Sequence, residues 1–418
     1  MNIPQGYKQT EFGPIPSDWG VCTFQNVLTT FSSGATPYRG IPEYYKGNVR
    51  WISSGELNYN KIFDTIEHIS QQAVRNTNLR VHQSGTFLMA ITGLEAEGTR
   101  GRCAFVGAPA TTNQSCLAIN GTERMCTEYL FWFYRMWGQY LAFKYCQGTK
   151  QQSYTANIVK NLPIYGPKDI AEQKAIAEAL GDIDGLIAAL DKKIAKKRLI
   201  KQGAMAQLLT GKKRLPGFSD PWVEKRLGDM GHLMNGYTFK SETYNLAGEF
   251  KIITIANVQS GYLMINACNR IIELPVDIQP HQMLKKGDIL ISMTGNVGRT
   301  CVVNQTKCLL NQRVGKFDID KDFISSQFLF ELLKNEHFEN AMIDAGQGAA
   351  QANIGKNDIE NYKCYVPRNK AEQKAIATIL NDMDKEIDDL EAQRDKYRLL
   401  KSGMMQKLLT GQIRLKIK

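Results

Sequence analysis

AEQKAIAEALGDIDGLIAALDKKIAKKRLIKQGAMAQLLTGKKRL fills residues 171–215, and AEQKAIATILNDMDKEIDDLEAQRDKYRLLKSGMMQKLLTGQIRL fills residues 371–415. The offset is 200 residues, and 24 of the 45 positions are identical without a gap. A repeat of this length marks a duplicated structural unit. Both copies read as long helices. Asp169 with Glu172, and Asn369 with Glu372, have the spacing of a capping box. Gly211 and Gly411 stand where a left-handed residue ends a helix. About 40 residues lie between these signals, or about 60 Å at 1.5 Å per residue. Ile176, Leu180, Ile183, Ile187, Leu190 and Ile194 in the first copy, and Ile376, Leu380, Met383, Ile387 and Leu390 in the second, alternate by four and three. That spacing predicts a narrow seam of the kind that pairs two helices. Gly181, Gly185, Gly203 and Gly403 each cost about 1 kcal/mol relative to Ala, so local breaks are allowed.

Working outward, the segments around these helices also repeat. QSGTFLMAITG (83–93) matches KKGDILISMTG (285–295). Asn113-Gln114 matches Asn311-Gln312, Gln147-Gly148 matches Gln347-Gly348, and Ala156-Asn157-Ile158 matches Ala352-Asn353-Ile354. The drifting offsets fit one frame with loops of changed length. Short strands are expected near Val49–Ser53, Thr86–Ile91 and Cys103–Val106, with an aromatic core helix near Glu128–Tyr145. The second copy of the long block ends in Arg414-Leu415, where the first runs on through Arg214-Leu215 to Pro216-Gly217-Phe218 and Pro221-Trp222. The start of the chain supplies Ile15-Pro16-Ser17-Asp18-Trp19, so the sequence reads as two half-units in a circular arrangement.

The 418 residues carry a net charge of +11 and a pI near 9.1, which favours a polyanionic partner, nucleic acid first. Nine cysteines without a Cys-x-x-Cys pair suggest neither a disulfide framework nor a zinc site, and reduced thiols in the cytoplasm are the simplest account. The five histidines form no ligand-spaced pair. The opening residues lack the pattern of a secretory signal, and no run of about 18 apolar residues suggests a membrane span. Two similar frames with divergent loops, tied by two similar helices, suggest one scaffold reused to read two different things. A duplex repeats its surface every 34–36 Å or so, which a stiff paired-helix spacer would match.

The repeated AEQKAIA…LLTG blocks, the opening Gly6-Tyr7-Lys8 with Ile15-Pro16-Ser17-Asp18-Trp19, and the paired TG, NQ and QG elements resemble the specificity subunit of type I restriction–modification systems over nearly the whole chain. The resemblance implies an α+β fold in which two target-recognition domains (1–167 and 214–367) are separated by two conserved helical spacers (168–213 and 368–418) forming an antiparallel coiled coil. It implies a non-catalytic subunit that reads a bipartite site on double-stranded DNA and docks two methylation subunits, with two restriction subunits joining them. No cofactor would be bound by this chain. S-adenosylmethionine would belong to the methylation subunits, and ATP with magnesium to the restriction subunits. No membrane is implicated.

Base edges are read by Arg, Lys, Asn and Gln, and phosphates are held by cations, hydroxyls and loop N–H groups. Four loop clusters per domain have that chemistry. In the first these supply Thr36, Tyr38 and Arg39; Thr92, Arg100 and Arg102; Asn113 and Gln114; and Lys150, Gln151 and Gln152. In the second they supply Tyr237, Thr238 and Lys240; Thr294, Asn296 and Arg299; Asn311, Gln312 and Arg313; and Gln347 and Gln351. Features shared by both domains, such as Thr92/Thr294 and Asn113/Asn311, are expected to hold the frame or contact backbone. Unmatched residues are the better candidates for sequence choice. Residues 171–215 carry a balance of +5 and 371–415 a balance of zero, with the excess in Lys192, Lys193, Lys196, Lys197, Arg198 and Lys201.

The competing class is a stand-alone DNA methyltransferase or nuclease using these domains for targeting. No Pro-Pro exists to form an amino-methyltransferase motif, and Gly355-Lys356-Asn357 lacks the spacing and hydroxyl of a phosphate loop. Glu249-Phe250-Lys251 stands without a supporting Asp. A helical adaptor that binds only proteins would leave the divergent basic domains unexplained.

Overall fold

The computed structural model describes residues 3–95, 98–148, 152–346 and 353–415. The chain forms two compact units, Met1–Asp191 with Gln393–Lys418, and Lys192–Ala392. The division falls inside each long helix, Ile170–Leu208 and Lys370–Leu409. Both helices run unbroken through their glycines. Each then stops as its sequence requires, with Gly211 and Gly411 at φ +69°.

The first unit is built on a five-stranded sheet in the order Thr29–Ser33, Cys116–Asn120, Phe87–Ala90, Cys103–Val106 and Lys61–Ile62. Phe87–Ala90 is the central strand and every residue in it is buried, which is why QSGTFLMAITG carries the continuous apolar run FLMAI. A second sheet places Val49–Ile52 between Thr111–Thr112, in parallel, and Glu67–Ile69, antiparallel. The helix Thr127–Tyr145 buries Tyr129 to Tyr134 and Leu141 in the same core.

The second unit repeats the plan. Its main sheet runs Gly231–Asn235, Val314–Ile319, Ile289–Ser292 and Thr300–Val302. Phe250–Ile253 again has one parallel neighbour, Cys308–Leu310, and one antiparallel neighbour, Asn269–Ile271.

Within each unit, stretches of the two long helices run antiparallel. In the first, Asp184 pairs with Lys401 and Asp191 with Arg398. In the second, Lys201 pairs with Asp384, Arg198 with Glu391, and Lys197 with Glu386 at 2.7 Å. Ten of the eleven seam residues are buried, and Met383 is partly so. The uneven charge of the repeat now has a physical reason: the lysine-rich stretch of one helix faces the acid-rich stretch of the other. Lys197, Arg198 and Lys201 are therefore engaged within the protein, while Lys192, Lys193 and Lys196 are exposed.

The repeated AEQ triplet explains how each domain is fixed to its helix. Asp169 and Asn369 accept the N–H groups of Ala171 and Ala371, both at 2.9 Å. The glutamates expected to complete the capping boxes do something else. Glu372 takes Arg214 in a two-pronged pair at 2.7 and 2.9 Å, and Glu172 takes Arg414. Both glutamates are buried, so the guanidinium, with two donors, is the stronger partner. Gln173 and Gln373 are fully buried. Gln173 accepts the Cys126 N–H at 2.9 Å and donates to the Arg124 and Pro167 carbonyls, and Gln373 does the same for Ser325, Phe323 and Pro367. Cys126 and Ser325 each stand just ahead of a domain helix, so one amide satisfies an otherwise orphaned helix end.

The circular reading of the sequence has its counterpart in these contacts. Arg214 lies over the Trp222 ring at 5.9 Å, and Arg414 lies over the Trp19 ring at 5.7 Å. Arg414 also pairs with Asp18 at 3.0 Å, and the Tyr7 hydroxyl donates to the Gly411 carbonyl at 3.0 Å. A side chain at Gly411 would fall 2.3 Å from Pro16, which leaves room for hydrogen only. Each unit thus joins a Gly-x-x-Arg segment, a tryptophan, a sheet domain and a Glu-Gln helix start. In the first unit the joining segment arrives from the far end of the sequence.

All nine cysteines are free thiols, seven of them buried. Burial pushes Cys301 and Cys364 up to about 12, and Cys103 and Cys116 higher still, as expected of inert core residues.

Candidate nucleic-acid interface

Among the described residues, loop segments singled out in the sequence are bonded to one another within each domain. In the first, Gly34 crosses so close to Thr112 that a Cβ would lie 1.8 Å from its carbonyl oxygen, and the Thr36 hydroxyl then donates to Gln114. Asn113 turns the next loop by accepting the Ser115 N–H at 3.1 Å. The Ser115 hydroxyl receives Thr92 at 2.6 Å, and Leu94 donates its N–H to the Gln152 carbonyl at 3.1 Å. The four segments form a continuous chain of bonds.

The second domain repeats this with different loops. A Cβ on Gly236 would lie 2.1 Å from the Asn311 carbonyl oxygen, and Thr238 donates to Gln312 at 2.8 Å. The Met293 N–H donates to the Arg313 carbonyl, and the Thr294 hydroxyl to Asn353 at 2.8 Å. Thr36/Thr238, Gln114/Gln312, Thr92/Thr294 and Asn113 therefore bond through their side chains to the protein's own loops, and Asn311 does so through its carbonyl, which accepts the Val314 N–H at 2.9 Å.

The unmatched candidates divide by their partners. Arg39 forms a two-pronged pair with Glu67 at 2.6 and 2.8 Å and stacks 4.3 Å from the Tyr45 ring centre. That bond lowers the Glu67 carboxyl from its ordinary value. Arg100 donates to Gln152 at 3.1 Å and lies over Phe143, and Arg102 donates to the Gly98 carbonyl at 2.6 Å. Arg299 is held by Gln259 at 3.0 Å and Glu339 at 3.3 Å. Tyr237 donates to Asp277 at 2.8 Å, and Lys240 stands 4.0 Å from Glu242. Tyr38, Asn296 and Arg313 are exposed, and no side-chain partner holds them among the described residues. Lys150, Gln151, Gln347 and Gln351 lie outside the described residues.

Glu67, Gln259 and Glu339 are the residues that sequence reading missed. They orient arginines across 28 to 40 residues of chain, and no local pattern announces them.

The profile of the type I restriction modification DNA specificity domain matches residues 16–197 and again 219–397. Each match starts just ahead of Trp19 or Trp222 and ends inside a long helix. The type I restriction enzyme MjaVIII specificity subunit of Methanocaldococcus jannaschii is 25% identical to this chain, over 99% of it and 98% of the relative. The putative MjaX specificity subunit of the same organism is 26% identical over 99% and 97%. A solved S subunit of a type I restriction–modification system from M. genitalium shares the fold, with a TM-score of 0.63 at 14% identity over 100% of this chain and 99% of its own. With both halves matched by one profile and relatives aligned from end to end, this chain belongs to the type I restriction–modification DNA specificity family.

Proposed function

We propose that each unit reads one half of a bipartite DNA target through its loop edge. The observation that carries this is the doubling itself: the two edges share the threonine–glutamine bond and the close glycine crossing beside it, and differ in the polar side chains left exposed. Shared bonds hold a frame, whereas differing side chains give two readouts. The +11 charge supplies the sequence-independent attraction for a duplex. In this reading the chain is the non-catalytic specificity subunit. The long helices dock two methylation subunits, through which two restriction subunits join. S-adenosylmethionine and ATP with magnesium act on those partners, in the cytoplasm.

The test is to express the chain with the methylation subunits encoded beside it and map methylated adenines in the host DNA. A split motif is expected. Exchanging residues 20–165 for those of another family member should change one half of the motif and leave the other intact. Methylation at unsplit or random positions, or a change in both halves, would overturn the proposal.

A further inference from the structure

In each unit one carboxylate on a long helix is shared by two cations, one from the other long helix and one from the recognition domain. In the first unit the Asp184 carboxylate takes Lys401 and, at 3.1 Å, Arg135 of the helix Thr127–Tyr145. In the second, Asp384 takes Lys201 and, at 2.7 Å, Lys334 at the end of the helix Ser326–Leu333. Asp184 with Asp384, and Lys201 with Lys401, are the same positions of the 200-residue repeat, exchanged between the units. The domain-side cation has changed from Arg to Lys and has gained Glu331 at 2.7 Å as a second partner, but it still pairs with the repeat's aspartate from the same domain helix. Around each node the cations are packed on aromatic faces: Arg135 lies 5.2 Å from the centres of Trp132 and Tyr59, Lys401 5.4 Å from Trp132, and Lys334 5.0 Å from Phe330.

The energetics of such a node suit it to setting an angle rather than to adding stability. Removing charges from water roughly offsets their attraction, so an ion pair of this kind contributes little net stability. Its directional bonds are another matter. Arg135 and Lys334 keep only 21% and 14% of their side chains exposed, so a domain that tilted would draw a poorly hydrated cation away from its carboxylate. The apolar contacts between domain and helix have no such directionality. We propose that Arg135 and Lys334 are positioning residues that fix how each recognition domain is set on its helix pair, and through that the spacing of half-sites the protein accepts.

This rests on the split-site reading above. The test therefore uses the complex with its methylation subunits and a panel of duplexes carrying the mapped half-sites at native spacing and with one base pair added or removed. Such a change displaces a half-site by about 3.4 Å along the axis. Wild type is expected to lose about tenfold or more in methylation rate at altered spacing, comparable to a mismatched base pair. Arg135→Met leaves Asp184 with Lys401 as counter-ion. It should cut that preference to about threefold while native-spacing activity stays within about threefold of wild type, a change of under 1 kcal/mol in coupling. Arg135→Lys, which installs the cation used in the second unit, should restore the preference. Melting temperatures are measured for all three. An Arg135→Met complex with undiminished spacing preference overturns the proposal, as does a uniform loss at every spacing that follows a lowered melting temperature. A wild-type complex that methylates no split site instead overturns the functional reading on which the proposal stands.

Discussion

Arg414 follows Glu172 by 242 residues in the sequence, yet its Nη2 donates to Glu172 Oε2 at 2.6 Å. The same bond in the second unit, Arg214 to Glu372, joins residues 158 apart. Replacing either arginine leaves a buried carboxylate without its charge-assisted donors. Arg414→Ala is expected to cost the first unit about 2–3 kcal/mol, and Arg214→Ala to cost the second a similar amount. Hydrogen exchange resolved by peptide checks this: protection should fall in residues 20–165 for Arg414→Ala and in residues 220–365 for Arg214→Ala. Equal losses in both regions for either variant would show that the arginines do not serve their own units.

His82 is buried beside the sheet, and burial, with Arg80 adding repulsion, brings its pKa down from 6.5 to about 4. The unfolded chain takes up this proton near pH 6.5 and the folded chain does not until near pH 4. Above pH 6.5 the residue has no effect on stability. Stability is lost as pH falls through that window, by about 3 kcal/mol at pH 4. His82→Gln keeps the backbone bonds to Ala110 and removes the titration. Urea unfolding between pH 7 and 4.5 should show a shallower decline for the variant. A parallel decline would show that His82 does not carry this dependence.

Gly181, Gly185 and Gly203 lie exposed within helices, and a Cβ on any of them would meet nothing within 4 Å. Each change to Ala should stabilise the chain by about 0.5–1 kcal/mol, because the unfolded glycine loses more freedom on folding. Urea midpoints of the single variants check this. A lowered midpoint at any one position would reveal a backbone requirement that the helix geometry does not show.

Arg313 is an exposed cation on the loop edge of the second domain, while Arg39 in the first is committed to Glu67. Arg313→Ala should weaken specific binding by about 1–3 kcal/mol and relax the site at one position. Arg39→Ala should act through the loop it braces, with an effect that does not depend on a single base. Binding to libraries varied at each base pair separates the two outcomes. A uniform loss for Arg313→Ala, with a shallower salt dependence, would assign it to phosphate instead.

What the sequence made legible follows from the range over which each interaction acts. The seam from Ile176 to Ile194 repeats every three or four residues, so its burial was readable within one helix. The all-buried strand Phe87–Ala90 was readable from its apolar run, and its counterpart Ile289–Ser292 from the match between the two copies. The frame role was readable in part, because Thr92/Thr294 and Asn113/Asn311 recur in both copies, whereas the bonds of Thr36 to Gln114 and of Thr238 to Gln312 span 78 and 74 residues and follow only from the fold. The glutamates at 172 and 372 were misread as caps because the local box pattern fits, and only the fold brings in the arginines that outcompete it. Glu67 and Glu339 were missed because each partner is set by strand register and loop length, which differ between the copies.

The bond from Arg414 back to Glu172 also has a consequence for biosynthesis. Chains emerge from the ribosome in order, and the second unit has its own clasp once residue 372 is out. The first unit, although made earlier, waits for Gly411 and Arg414 before its base can close. Its base must therefore stay open while 242 further residues are translated, and the half made first is the half completed last.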